Sequence, residues 1–244
     1  MTEANEHLVR IPRWRWTLLR RMVRALFRLA ARIDVSGQNQ IPRAGGCVLV
    51  FNHLSNFDPP LLFAVIDYPR LTALMAAEYR QRRFHRFWLD AAGTLWIRRG
   101  ASDRAALRQA LAHLEHGWIV GIAPEGTRSR DHVLHAGKPG PAFLAAHAEA
   151  PVLPVGITGT ESLGTNLKRL RRGTITVRFG EPFRVPATSS HSKQDLQAAT
   201  DLLMCRVAAL VPRTYRGVYA DHPLLRDFES GSLDAHACAS TVEA

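Results

Sequence analysis

The sequence predicts a single α/β domain: a mostly parallel central sheet of about six or seven strands flanked by helices, plus an N-terminal amphipathic helix. Three observations support this. Short β-branched and aliphatic runs alternate with stretches of helical periodicity across 34–228. The chain has 244 residues, 46% of them hydrophobic, enough to bury one large core. Residues 13–33 separate apolar from basic side chains around a helix.

The elements follow in order. Residues 1–33 are expected to carry a membrane-surface helix. At about 100° per residue, Leu18, Leu19, Met22, Val23, Leu26, Leu29, Ala30 and Ile33 fall on one half. Arg20, Arg21, Arg24, Arg28 and Arg32 fall on the other, with Trp14 and Trp16 at the leading end. This pattern suits a helix lying in the plane of an anionic bilayer. The same apolar half also suits packing on a core. Residues 33–36 and 47–52 read as strands. Asp58-Pro59-Pro60 opens a helix to Ile66, with Asp58 as N-cap and Pro59 in the first turn. Residues 71–76 form a further strand, and 79–89 an Arg-rich aromatic helix suited to a membrane or to solvent. A strand at 94–98 precedes a helix capped by Ser102 and stopped by Gly117, with Leu107, Ala110, Leu111 and Leu114 on one face. Strands at 118–123, 152–158 and 174–179 and helices at 140–148 and 192–210 complete the domain at 34–228. The small, polar residues 229–244 are expected to form a mobile tail.

The formal net charge is +11, and only three of the 32 basic residues are Lys. Arg pairs two-pronged with phosphate oxygens, so an anionic partner is expected: nucleic acid, an anionic membrane or a phosphorylated substrate. Cys47, Cys205 and Cys238 are scattered, without a CxxC pair, which points away from a disulfide framework or a zinc site and toward a reducing cytoplasm. No apolar run approaches the roughly 18 residues of a membrane-spanning helix, and no secretory signal is expected.

The segment Asn52-His53-Leu54-Ser55-Asn56-Phe57-Asp58 lies between a strand and a helix, where α/β sites form. A carboxylate five residues from a His across a loop can accept the imidazole Nδ1–H and leave Nε2 to take a proton. The same spacing occurs at His85/Asp90 and His222/Asp227, but only His53/Asp58 spans a strand-to-helix loop. By itself, Asp58 before Pro-Pro is an ordinary cap and His53 an ordinary core histidine. After the strand at 118–123 comes Pro124-Glu125-Gly126-Thr127-Arg128-Ser129. Here Gly126 permits close backbone approach, Thr127 and Ser129 can donate to an anion, and Arg128 can grip a phosphate. The block from Gly93 to Arg99 ends another strand with two arginines.

In this order the motifs resemble the PlsC-like lysophospholipid acyltransferases, best known from the 1-acylglycerol-3-phosphate acyltransferases. The matching blocks are Asn52-His53 with Asp58, Gly93 through Arg99, Pro124 through Ser129, Val152-Leu153-Pro154-Val155 and Gly180-Glu181-Pro182-Phe183. The resemblance spans 33–185. It implies that His53 is the general base and Asp58 its partner. Asn52, Arg99, Glu125, Gly126, Thr127, Arg128 and Ser129 would belong to the substrate site, and Pro154 would shape its wall near the acyl donor. Arg98 stands where the family often has an acidic or polar residue, and Ala123 replaces a frequent Phe; the extra charge at 98 would retune headgroup choice.

The implied reaction uses no metal and no bound organic cofactor. An acyl group passes from acyl-CoA or acyl carrier protein to the hydroxyl of lysophosphatidic acid, giving phosphatidic acid in phospholipid biosynthesis. The alternative is a related O-acyltransferase acting on a lyso-ornithine lipid, a glycolipid or glycerol 3-phosphate. Such a protein would sit peripherally on the inner face of the cell membrane. A nucleic-acid-binding role is disfavoured, because the arginines cluster beside wide apolar faces and no zinc knuckle or RNA-recognition signature is present. A binding-only, inactive relative is the remaining rival.

Overall fold

A computed structural model describes residues 13–78, 94–97, 103–185 and 192–229. Seven strands form one sheet: β1 (Ala31–Ser36), β2 (Cys47–Phe51), β3 (Leu71–Ala76), β4 (Leu95–Ile97), β5 (Ile119–Ile122), β6 (Val152–Thr158) and β7 (Gly173–Phe179). Their order is β1-β7-β6-β2-β5-β3-β4. The β6–β7 pair is antiparallel, and every other neighbouring pair is parallel. Each strand expected from the sequence is there. Central β2, Cys-Val-Leu-Val-Phe, is buried along its whole length, as a parallel strand covered on both faces must be.

Alternation along the strands divides the core. Leu49, Phe51, Ile119, Leu153, Val155 and Ile157 face one layer, where α1 (Arg13–Ala30) and α2 (Asp58–Val65) supply Trp16, Phe27, Leu61 and Leu62. Val48, Val50, Val120 and Val152 face the other. There α3 (Arg104–Glu115), α4 (Gly140–His147) and α6 (Lys193–Ala209) pack Leu114, Leu144, Leu203, Met204 and Val207. Two short helices escape the sequence reading: α5 (Leu163–Lys168) and α7 (Pro223–Glu229).

The N-terminal helix departs from its expected form in two ways. It ends at Ala30, so Arg32 and Ile33 belong to β1 rather than to the helix, and the boundary placed at 33 falls inside a strand. Its apolar half also splits. Trp16, Leu19, Val23, Phe27 and Ala30 pack on the core, whereas Trp14, Leu18, Met22, Leu26 and Leu29 stay exposed. Arg20 is drawn in with the core face. Its guanidinium pairs with Asp67 at 2.8 Å and stacks over the Trp16 ring, and Trp16 meets Phe63 edge-on.

Caps explain where the other helices start. Ser192 Oγ accepts from the Asp195 N–H at the head of α6. The cap of α3 is Asp103, accepting from the Ala106 N–H, one residue after the expected Ser102. The segment 79–89, Gly93, Arg98, Arg99, Ser102 and the tail from 230 lie outside the described residues.

Candidate active site

Loops leaving the carboxyl ends of the adjacent strands β6, β2 and β5 meet over the middle of the sheet. Asn52, buried at the end of β2, clasps β6 at two points. Its Nδ2 donates to the Ile157 carbonyl at 2.8 Å, and its Oδ1 accepts from the Ile157 N–H at 2.7 Å. That clasp fixes the direction in which the next residue, His53, leaves the sheet.

The loop then folds around one carboxylate. Asp58 has no solvent exposure. Its Oδ2 lies 2.9 Å from His53 Nδ1 and accepts from the Leu54 and Ser55 N–H groups at 2.8 and 2.7 Å. Its Oδ1 accepts from the Thr160 hydroxyl at 2.5 Å. With Asp58 as acceptor, Nδ1 carries the proton and Nε2 keeps its lone pair. This corrects the capping role expected for Asp58. The carboxylate turns back onto the loop and makes no cap bond to α2, whose Pro59 and Pro60 lack the N–H groups a cap would serve.

Thr160 was not foreseen. It lies 102 positions from Asp58 and is brought in by β6 lying beside β2. Gly159 makes the turn. Its φ is +88°, and a Cβ there would stand 2.1 Å from the Thr174 carbonyl oxygen.

In the loop after β5, anchors and free groups are interleaved. Buried Glu125 accepts from the His53 N–H at 3.3 Å and the His135 N–H at 3.1 Å. Burial raises its pKa, and these two N–H groups oppose the rise. The Ser129 N–H donates to the His53 carbonyl at 2.8 Å, while its buried hydroxyl donates to Asp131 and accepts from the Val133 N–H. Those contacts hold the Asp131 carboxyl down to about 2, with Ser129 the larger influence and His135 the next. Between the anchors, Thr127 and Arg128 are exposed. Gly126, at φ +69°, leaves room for Lys138, whose Nζ would lie 2.8 Å from a Cβ at that position.

His53 stands in the wall of a cavity of about 520 Å³. Leu49, Phe51, Leu62, Phe63, Ile66 and Leu71 make its sides, Leu19 and Val23 of α1 contribute from the helix, and Arg128 and Thr94 complete it. Of the residues expected to contact substrate, Arg128 lines this cavity and Thr127 is exposed close by. Asn52, Glu125 and Ser129 do not line it: their polar groups are occupied in holding strands and loops together. Pro154 does not line it either. It sits in register with Val50 on β2, and both face the opposite layer, where Pro154 packs near Gly180. Arg99 lies outside the described residues.

Comparison with known proteins accords with this architecture. The family model for acyltransferases matches residues 32–158. The chain is 32% identical over 191 residues to a lyso-ornithine lipid O-acyltransferase from Pseudomonas aeruginosa, covering 71% of this chain and 69% of that one. It is 28% identical over 158 residues to the 1-acyl-sn-glycerol-3-phosphate acyltransferase of Escherichia coli, covering 63% of each. The chain thus spans about two thirds of the length of these relatives. Its fold matches the crystal structure of the 1-acyl-sn-glycerophosphate (LPA) acyltransferase PlsC from Thermotoga maritima. The TM-score is 0.61 and the identity 23%, with 76% of this chain and 75% of that chain covered.

Proposed function

The chain belongs to the PlsC-like acyltransferase family, and we propose that it moves a fatty acyl group from a thioester to the free hydroxyl of 1-acylglycerol-3-phosphate, giving phosphatidic acid. The observation that carries this reading is His53, bonded to buried Asp58, in the wall of a mainly apolar cavity that also holds Arg128. The apolar sides suit an acyl chain, and a guanidinium suits the phosphate.

The proposed roles are these. His53 Nε2 takes the proton of the acceptor hydroxyl as its oxygen attacks the thioester carbonyl. Asp58 stabilises the imidazolium that results. The tetrahedral intermediate collapses, the C–S bond breaks, and His53 returns the proton to the sulfur, so that coenzyme A or acyl carrier protein leaves as a thiol. Arg128, Thr127 and Arg99 hold the headgroup. Asn52, Glu125 and Ser129 act one step back, keeping the base and its neighbouring loop in place, and Pro154 braces β6. Proton transfer by a placed base is worth about 10²–10⁴-fold. Fixing the acceptor through its headgroup supplies much of the rest.

Among the described residues no helix is long and apolar enough to cross a membrane. The exposed face of α1, with Trp14, Leu18, Met22, Leu26 and Leu29, is suited to lie on a bilayer, which supports a peripheral location, proposed on the inner face of the cell membrane. The units proposed are this membrane-facing helix, the acyltransferase domain that follows it to 228, and a tail.

A second acceptor has support of its own. The relative at 32% identity acts on a lyso-ornithine lipid, and an ornithine carboxylate would also suit Arg128. The deciding experiment offers the full chain lysophosphatidic acid and lyso-ornithine lipid, each with acyl-CoA and with acyl carrier protein as donor. Products are followed by mass spectrometry. Preferred conversion of lysophosphatidic acid is expected; turnover of the ornithine lipid alone would reassign the acceptor, and turnover of neither would reject the proposal.

A further inference from the structure

We propose that the turn at residues 168–172 is a second foot by which this protein stands on an anionic bilayer, Leu170 entering the lipid and its basic neighbours meeting the headgroups. The proposal rests on the membrane reading of α1 and adds a contact to it.

The turn Lys168-Arg169-Leu170-Arg171-Arg172 joins α5 to β7, and all five residues are exposed. Leu170 is 97% exposed, more than any other large apolar residue described. Two bonds close the end of α5: the Arg171 N–H donates to the Asn166 carbonyl at 2.9 Å and the Leu170 N–H to the Leu167 carbonyl at 3.1 Å. This is a Schellman turn, whose left-handed position usually holds Gly. Here Leu170 occupies it, at φ +52°. A strained backbone that presents a leucine to water contributes nothing to folding. It does place an apolar side chain where another apolar medium can receive it.

The topology puts this turn on the same edge as the candidate site. β7 runs antiparallel to β6, so it begins beside the carboxyl end of β6, near Thr160. β1 runs parallel to β7, with Ala31 paired to Gly173, so the last turn of α1 reaches the same edge. The Arg172 guanidinium donates to the Arg28 carbonyl and ties the two together. Leu170 and the last turn of α1, with exposed Leu26 and Leu29, therefore lie toward the same edge of the sheet.

Charge selects the partner. No Asp or Glu occurs between residues 162 and 180, while Lys168, Arg169, Arg171 and Arg172 cluster around the leucine. Cations encircling an exposed apolar tip match an anionic lipid surface. A nucleic acid would satisfy the charges but leave Leu170 in water.

Flotation of the full chain with phosphatidylcholine vesicles, with and without phosphatidylglycerol, provides the test. Leu170→Gly should relax the turn, so melting temperature holds or rises while vesicle partition falls roughly fivefold. Arg169→Ala with Arg171→Ala should remove roughly fivefold per charge, only where phosphatidylglycerol is present. Leu26→Asp with Leu29→Asp probes α1 separately. If that pair loses binding while Leu170→Gly binds as wild type, the second foot is refuted and the α1 reading stands. If none of these variants changes partition, both are refuted.

Discussion

The loops after β2 and β5 lie side by side but are built differently. In 52–58 the two anchoring side chains point inward: Asn52 to Ile157, and Asp58 to His53, Leu54, Ser55 and Thr160. In 124–129, Glu125 and Ser129 point inward and hold the His53 backbone, while Thr127 and Arg128 stand at the surface. The difference matches the tasks assigned to them. A base that takes a proton in flight needs fixed geometry, whereas a headgroup can be gripped by a long arm that adapts. One loop is a mount, and the other is half mount and half hand.

The contrast can be broken by substitution. Asp58→Ala should have the largest effect, because it strips four buried or half-buried donors of their acceptor. Stability should drop by about 2–4 kcal/mol, since each buried unpaired donor costs about 1–3 kcal/mol, and turnover on the order of 10³-fold with the orienting carboxylate gone. Urea unfolding and product formation measure the two losses. A fully stable Asp58→Ala would show that the loop does not depend on that carboxylate.

Thr160→Val keeps the shape and removes one donor. Turnover should fall about tenfold, the worth of one buried hydrogen bond. Thr160→Ser should restore it. Unchanged turnover in Thr160→Val would reduce Thr160 to packing.

Arg128→Ala should leave the unfolding midpoint unchanged and raise the acceptor KM about tenfold, as loss of one surface ionic grip does. A stability loss equal to that of Asp58→Ala would erase the difference between the loops. The smallest effect concerns Glu125. Its folded pKa is raised by burial, so the folded state holds that proton more tightly than the unfolded chain. The resulting stability is complete below the unfolded pKa and is lost as pH rises through the raised value. Stability measured against pH should show that decline in the wild type and lack it in Glu125→Gln.

Much of this was legible in the sequence, because strand alternation and helix spacing are local signals. All seven strands were readable, as was the His53–Asp58 spacing. What escaped depends on the third dimension. Helical periodicity groups Leu19 with Leu18 but does not say which of them packs on the core and which meets solvent, so the split of α1 was hidden. Asp58 looked like a cap because its true partners include Thr160, a hundred residues on. The side of the sheet to which Pro154 points became readable only from its register with Val50. The short helix α5 carries too few turns to show a period, and the left-handed Leu170 that follows it breaks no pattern visible in sequence.

The account rests on His53 as the base held by Asp58. The most direct measurement is the turnover of His53→Ala at saturating acceptor and donor, with its unfolding midpoint taken in parallel. The account predicts a loss of about 10²–10⁴-fold in a chain that stays folded, because His53 contributes one imidazole bond to Asp58 while the backbone donors and Thr160 remain. Turnover within a few fold of the wild type, in a folded protein, would contradict it.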